Sequence, residues 1–312
     1  MIMQITDKYI RPLLSALGYY KIKCTIKMHF YLKRLEKEDV AKRRKIDEAI
    51  WQIPDNVLKG DNDLIVSLTS YGSRIVDTLP YTLYSLLMQD FLPGRIVVYL
   101  SREEISKETL PPVLRKIEKC GVNFCYVEDI KSYKKLIPAL SMFPDNPILT
   151  VDDDMYYTTI FCRSFWNCYE QSDKKTVLGS VGRWVTRDKN GNLLPYLSWY
   201  NIDDGNPLTD QISFFGCGGC LYPPLIFDDE ISKKDIFMRF APSADDIWFW
   251  VMEQRAGVKT KLIPEYTEHL YVPIDRTTWF DLDRDDCLTT TNDVKGLNNQ
   301  QLKSLQTYYG IK

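Results

Sequence analysis

The run Asp152-Asp153-Asp154 follows directly on the apolar stretch Pro147-Ile-Leu-Thr-Val151. Three adjacent carboxylates repel one another and raise each other's pKa unless a cation neutralises them. A divalent cation would do so, and Mg²⁺ or Mn²⁺, which favour oxygen, often join one or two carboxylates to a substrate's phosphates. In an extended run the first and third side chains share a face, so Asp152 and Asp154 would act on one side. A solvated acidic turn or a helix N-cap would present the same three residues.

Asp245-Asp246 forms a second acidic pair, ahead of the apolar segment Ile247-Trp-Phe-Trp-Val-Met252. At a helix start a carboxylate is favoured by backbone N–H groups and the helix dipole. It could serve there as a general base on a hydroxyl, or simply cap the helix. His269 is one of two histidines, and its imidazole would suit Mn²⁺. His29 reads as a surface residue. Lys134 and Lys135 could meet a diphosphate as point charges, although lysines on a helix face are usually solvated. Cys217-Gly-Gly-Cys220 lacks a thioredoxin-like context, and Gly216, Gly218 and Gly219 read instead as places where backbone approaches a ligand.

These residues need a scaffold. Near-continuous apolar runs at Asp63–Thr69, Arg95–Leu100, Val122–Val127 and Pro147–Val151 suit buried parallel strands. Helical patterns lie between them at Leu79–Gln89, Pro111–Cys120 and Lys134–Met142. The alternation predicts βαβ units around a mostly parallel sheet, with ligands bound beyond the strands' carboxyl ends. Ser70–Arg74, Glu128–Lys135 and Asp152–Asp154 should then meet in one crevice. Further on, Val177–Val181 and Ile212–Phe215 read as strands, Asn190-Gly-Asn192 as a turn, Ser243–Trp248 as a helix start and Asn298–Tyr309 as a helix.

A chain of 312 residues fits one large α/β domain with extensions. We expect a basic helical arm at 1–60, the main domain at 61–271 and a C-terminal extension at 272–312. A net charge of -2 speaks against nucleic acid as a partner. The eight cysteines form no paired zinc spacing, and no signal peptide or membrane-spanning run is present, so a reduced, cytoplasmic protein is expected. Residues 1–35 carry Lys8, Arg11, Lys21, Lys23, Lys27, Lys33 and Arg34 against Asp7 alone, with aromatic and aliphatic residues between. Such an arm suits the anionic inner face of a membrane, or packing on the domain or a partner.

Taken in order, Val66-Ser-Leu-Thr-Ser-Tyr71, Ser85-Leu-Leu-Met-Gln89, Ser132-Tyr-Lys-Lys135, Thr150-Val-Asp-Asp-Asp154, Gly218-Gly-Cys-Leu-Tyr-Pro-Pro224 and Ala244-Asp-Asp-Ile-Trp248 resemble GT-A fold nucleotide-sugar glycosyltransferases. The resemblance is to the family-2-like bacterial enzymes of surface polysaccharide and capsule assembly, and it covers about Asp63 to Tyr271. It implies a Rossmann-like, mostly parallel central sheet flanked by helices. It also implies a UDP- or GDP-type sugar donor, Mn²⁺ or Mg²⁺, and a glycan or lipid-linked acceptor. Ser70, Tyr71, Asp129, Lys135, Asp152, Asp153, Gly218 and Gly219 would border the donor. Asp152, Asp154 and His269 would face the metal in a DXD-type site. Asp246, or Asp245 beside it, would be the base of an inverting transfer, although the family's pair is often Glu-Asp. Arg183, Trp184, Trp199 and Tyr200 are candidates for reading the sugar.

Three other classes fit parts of the pattern. A metal-dependent phosphohydrolase would use Asp152 or Asp153 as nucleophile, but such motifs usually follow the first strand, not the fourth. A nucleotidyltransferase would need a glycine-rich basic loop, and Tyr71-Gly-Ser-Arg74 is short for one. An inactive GT-A-like binding protein would not need both acidic clusters.

Overall fold

The computed structural model describes residues 19–202, 211–265, 270–277, 292 and 296–312. In chain order the elements are helix α1 (Tyr19–Ile50), strand β1 (Ile65–Thr69), helices α2 (Arg74–Asp77) and α3 (Leu79–Leu87), β2 (Arg95–Ser101), α4 (Pro112–Lys119) and β3 (Asn123–Val127). A 3-10 turn at Lys131–Lys135 precedes α5 (Ile137–Met142), β4 (Ile148–Thr150), β5 (Met155–Tyr157), α6 (Phe161–Glu170), β6 (Val177–Gly179) and β7 (Gly182–Trp184). Then come β8 (Tyr200–Asn201), β9 (Ile212–Phe214), β10 (Cys220–Tyr222), α7 (Lys234–Phe240), α8 (Asp245–Ala256), β11 (Thr260–Leu262), β12 (Tyr271–Pro273) and α9 (Leu297–Tyr309).

The architecture is the expected α/β one. Seven strands form the central sheet in the order β11-β6-β10-β4-β1-β2-β3. β1 pairs in parallel with β2 and β4, β2 with β3, and β6 with β11. β10 alone runs against its neighbours β4 and β6. Period-2 geometry splits the first strand between two cores. Val66 and Leu68 face the layer holding Leu79, Leu83 and Leu86, while Ile65 faces the layer holding Tyr133, Ile247 and Trp248.

Two features of this topology position the site. The parallel strands β1 and β4 run the same way, with Thr150 opposite Ser67, so the chain leaves them at Ser70 and Val151 at one end of the sheet. The reversed β10 pairs Cys220 with Thr150, so its amino end sits beside the carboxyl end of β4. That antiparallel pairing delivers the glycine-rich segment 216–219 to the aspartate run.

The helical pattern at Lys134–Met142 is broken in the structure. The 3-10 turn at Lys131–Lys135 is followed by a separate short helix, α5. Within the expected helical arm, α1 runs as one helix to Ile50. It packs through Leu35, Ile46 and Ile50, and Asp39 accepts hydrogen bonds from the Arg276 backbone at 3.0 Å and from its guanidinium at 2.7 Å. At the other end, Asn298, Gln301, Leu302 and Leu305 bury one side of α9.

Leu83 is fully buried between α3 and the sheet. Leu83→Ala should therefore destabilise the protein by about 2–5 kcal/mol. Urea unfolding would show this as a lower midpoint with an unchanged slope.

Candidate active site

Beyond the carboxyl ends of β1 and β4 lies a cavity of about 420 Å³. That is within the range of about 300–1,000 Å³ common for small-molecule sites. Asp152, Asp153, Asp154, Asp245 and Asp246 all line it, with Arg74, Lys135 and Arg183 as the cations. Five carboxylates against three cations leave a formal charge of -2 when all are ionised.

The aspartate run is a turn rather than an extended strand, so the shared-face argument does not apply. The turn separates the three side chains by partner. Lys135 Nζ donates to Asp152 Oδ1 at 2.9 Å. Asp153 is buried and accepts from Ser70 Oγ at 2.5 Å and from an Arg74 nitrogen at 3.0 Å. The same Arg74 nitrogen reaches Asp154 Oδ2 at 2.9 Å. Tyr157 fixes the turn from below, accepting from the Asp152 backbone N–H at 2.9 Å and donating to the Cys217 carbonyl at 3.2 Å.

Lys135 occupies the centre. Buried in the 3-10 turn, it reaches Asp245 Oδ2 at 3.1 Å as well as Asp152. Tyr133, two residues earlier in the same turn, donates to the Ala241 carbonyl at 2.5 Å and pins this turn against the segment leading into α8. The same docking lets Ser132 Oγ donate to Asp245 Oδ1 at 2.8 Å. A solvated helix face, one of the two readings of Lys134 and Lys135, is not what forms. Both are buried, and Lys134 pairs with Asp129.

Asp245 and Asp246 are the first two residues of α8, and Ala244 occupies the cap position, so neither acts as an N-cap. Their negative charge is favoured by the helix N-terminus. Asp245 is committed to Ser132 and Lys135. Among the described residues, Asp246 receives only a long contact of 3.4 Å from the Gly216 N–H. Burial pushes the Asp246 carboxyl up to about 8, with the Asp245 charge adding to the shift and Lys135 opposing it. Burial likewise raises Asp154 to about 6 against the pull of Arg74. Lys135 is held well above the ordinary lysine range by Asp152, Asp245 and Asp246, although burial works against its charge.

Other expected residues fall differently. Tyr71 lines the cavity, and the Arg74 guanidinium lies 5.4 Å over its ring. Ser70 is buried behind Asp153 and orients it. Asp129 does not line the cavity. Its carboxylate accepts from the Lys131 N–H at 3.0 Å and steadies that residue's left-handed backbone, at φ 56°. Gly216 is the glycine at the site, where a Cβ would meet the Lys135 ammonium and lie 2.9 Å from Asp152 Oδ1. Gly218 and Gly219 are required by packing instead, against Val181 and Ser180 and against Phe161. Of the sugar-reading candidates, Arg183 lines the cavity beside Tyr196 and Phe215, whereas Trp184 and Trp199 are buried in the core and Tyr200 lies exposed outside the cavity. His269 lies outside the described residues.

Sequence reasoning gave no role to Arg74 or Ser132, and none to Asn292 and Asn298, which also line the cavity. Arg74 had one legible signal, a cation a few residues beyond a strand end. Asn292 and Gln301 clasp the start of α8: Asn292 Nδ2 donates to the Ser243 carbonyl at 2.6 Å, and the Ser243 N–H donates to Gln301 Oε1 at 3.0 Å. Part of the expected C-terminal extension is thus a wall of the cavity.

Asp152 and Asp154 offer a divalent cation two carboxylates facing one space, the number Mg²⁺ commonly takes when phosphate and water complete its shell. Among the described residues no group of three or more His, Cys, Asp or Glu side chains is placed to hold a metal ion by itself.

No protein-family model matches the chain, and no curated protein matches it. Among solved structures it is similar to glucosyl-3-phosphoglycerate synthase from Mycobacterium tuberculosis. In the complex with Mg²⁺ and uridine-diphosphate, identity is 13% and the TM-score 0.45, over 82% of this chain and 83% of that chain. In the complex with Mn²⁺, uridine-diphosphate-glucose and phosphoglyceric acid, identity is 12% and the TM-score 0.44, over the same shares. CMP:2-keto-3-deoxy-manno-octonic acid synthetase complexed with CTP is similar at 8% identity and a TM-score of 0.38, over 64% of this chain and 88% of that chain.

The raised Asp246 carboxyl has a consequence for stability. Its folded value of about 8 exceeds the unfolded value of about 3.9, so ionising it costs folding free energy. That cost is absent below pH ~4, grows as pH rises and is complete above pH ~8. Asp246→Asn should raise the melting temperature of the ligand-free protein at pH 8.5, with the gain shrinking as pH falls towards 4. Differential scanning fluorimetry across that range measures it, and a lower melting temperature at pH 8.5 would contradict the electrostatic account.

Proposed function

We propose that the chain is a metal-dependent glycosyltransferase. It moves a sugar from a UDP- or GDP-type donor to a hydroxyl of a glycan or lipid-linked acceptor in surface polysaccharide biosynthesis. The observation that carries this reading is the meeting of the two acidic clusters in one cavity, whose formal charge is -2 when every group is ionised. One divalent cation would balance that charge. Held by Asp152 and Asp154, it would act as a Lewis acid on the departing diphosphate.

The chain's own residues supply the rest. Lys135 keeps Asp152 and Asp245 in place from a buried position. Asp246 is the base, because Asp245 is engaged by Ser132 and Lys135 while Asp246, among the described residues, has only the long Gly216 contact. Asp246 accepts the proton of the acceptor hydroxyl as that oxygen bonds to the anomeric carbon and the carbon–phosphate oxygen bond breaks. The sugar passes through a transition state of oxocarbenium character, and a single displacement inverts the anomeric configuration. Tyr71, Tyr196 and Phe215 offer aromatic surface to a sugar ring. A phosphohydrolase using Asp153 as nucleophile is disfavoured, since that carboxylate is buried and bonded to Ser70 and Arg74.

Asp246→Asn should lower transfer by about 10²–10⁴-fold while leaving donor binding unchanged. Transfer by the native protein should rise with pH up to an inflection at or below about 8, as the base loses its proton. Fluorimetry with UDP- and GDP-sugars, with and without Mn²⁺, gives the first check: stabilisation should require metal and donor together. Full transfer by Asp246→Asn would remove the residue from its role.

The reading places the enzyme at the inner face of the cell membrane, where a lipid-linked acceptor would reside. No helix among the described residues is long and apolar enough to cross a membrane. On α1, Lys27, Lys33 and Arg34 are exposed together with Met28, Phe30 and Tyr31. Co-sedimentation with anionic vesicles but not zwitterionic ones, weakening as salt is added, is the expected result. Equal recovery with both vesicle types would refute an electrostatic attachment.

A further inference from the structure

The two cations facing the aspartate run differ in how firmly they are held. Lys135 is 7% exposed and fixed between Asp152 and Asp245. Arg74 is 34% exposed, on a helix of four residues just beyond the first strand. One of its nitrogens is shared between Asp153 at 3.0 Å and Asp154 at 2.9 Å. Asp153 keeps a second donor in Ser70. Asp154, 30% exposed, has Arg74 as its charged partner.

We propose that Arg74 is the internal counter-ion of the metal site and that it couples metal binding to binding of the nucleoside diphosphate. The inference rests on the metal-dependent reading above. While a guanidinium nitrogen stands 2.9 Å from Asp154 Oδ2, its charge weakens the hold of that carboxylate on a second cation. Moving Arg74 off Asp154 removes that repulsion. Released into a cavity without a ligand, it gives up an ion pair and gains only water. A diphosphate changes this balance, since its oxygens accept the fork of the guanidinium bidentately. Arg74 therefore disfavours either ligand alone and favours the two together. By linkage, each then raises the other's affinity by the same factor.

Electron paramagnetic resonance of free Mn²⁺ measures metal binding without any turnover. The native protein should bind Mn²⁺ weakly alone and about tenfold or more tightly once UDP or GDP is added. Arg74→Met should bind Mn²⁺ without nucleotide about tenfold or more tightly than the native protein, and the nucleotide's effect should fall to the part its own phosphate oxygens contribute as metal ligands. Asp154→Asn should bind poorly in every state. Circular dichroism checks folding, and Arg74→Lys, which retains a charge for Asp153 but has no planar fork, replaces Arg74→Met if that variant is unfolded. It should show a reduced coupling factor. Coupling that persists unchanged in the Arg74 variants, or native Mn²⁺ affinity equal to theirs without nucleotide, would overturn the role of Arg74 and leave the metal reading intact. Absence of Mn²⁺ binding in all states, nucleotide included, would overturn both.

Discussion

Lys135 sits where two acidic segments, separated by about ninety residues of chain, are brought against each other. Its ammonium contacts Asp152 on one side and Asp245 on the other, nearly out of reach of water. Two carboxylates at such a spacing would repel strongly in a medium of low dielectric, and a buried lysine alone would lose its proton. Each makes the other tolerable. The rest of the site is arranged around that contact. Tyr133 anchors the turn that carries the lysine, Gly216 leaves room for the ammonium, and Tyr157 holds the backbone of Asp152 in place.

The sheet makes this meeting possible through one reversed strand. Parallel strands alone would bring Ser70 and Asp152 together, since both leave the same end of the sheet. Only an antiparallel neighbour of β4 can bring its amino-terminal loop to that end as well, and β10 does so with Cys220 opposite Thr150. The arrangement has an energetic cost. Asp246 and Asp154 carry raised pKa values because burial and like charges disfavour their ionised forms. A protein selected for stability alone would place amides there.

Much of the fold was legible from the sequence, and for physical reasons. Buried parallel strands are apolar throughout, so β1 to β4 stand out, and Leu79, Leu83 and Leu86 mark a helix by their spacing. The strand β10 was not legible, because Cys220–Tyr222 is too short for a period and its direction depends on pairing. At the site, the aspartates could be recognised as chemistry but not arranged. Their turn after Val151 assigns a different partner to each, where an extended run would have put the outer two on one face. Lys135 could be named as a donor-side residue but not as the bridge between the two acidic segments, because only the 3-10 turn buries it between them. Asp129 was overvalued, since its position after a strand says nothing of the backbone strain at Lys131 that it relieves.

The clasp of Asn292 and Gln301 on Ser243 also bears on how the protein is made. Both acidic clusters and all strands of the central sheet precede residue 263 in the chain. Synthesis from the amino end can therefore assemble the sheet and gather its charges before the residues from 292 onward leave the ribosome. In that interval the helix start at Ser243 lacks its clasp, and one side of the cavity stands open to water. A nascent chain would thus hold a folded core around an unfinished pocket, and the closed wall of the cavity would arrive as a separate, later event.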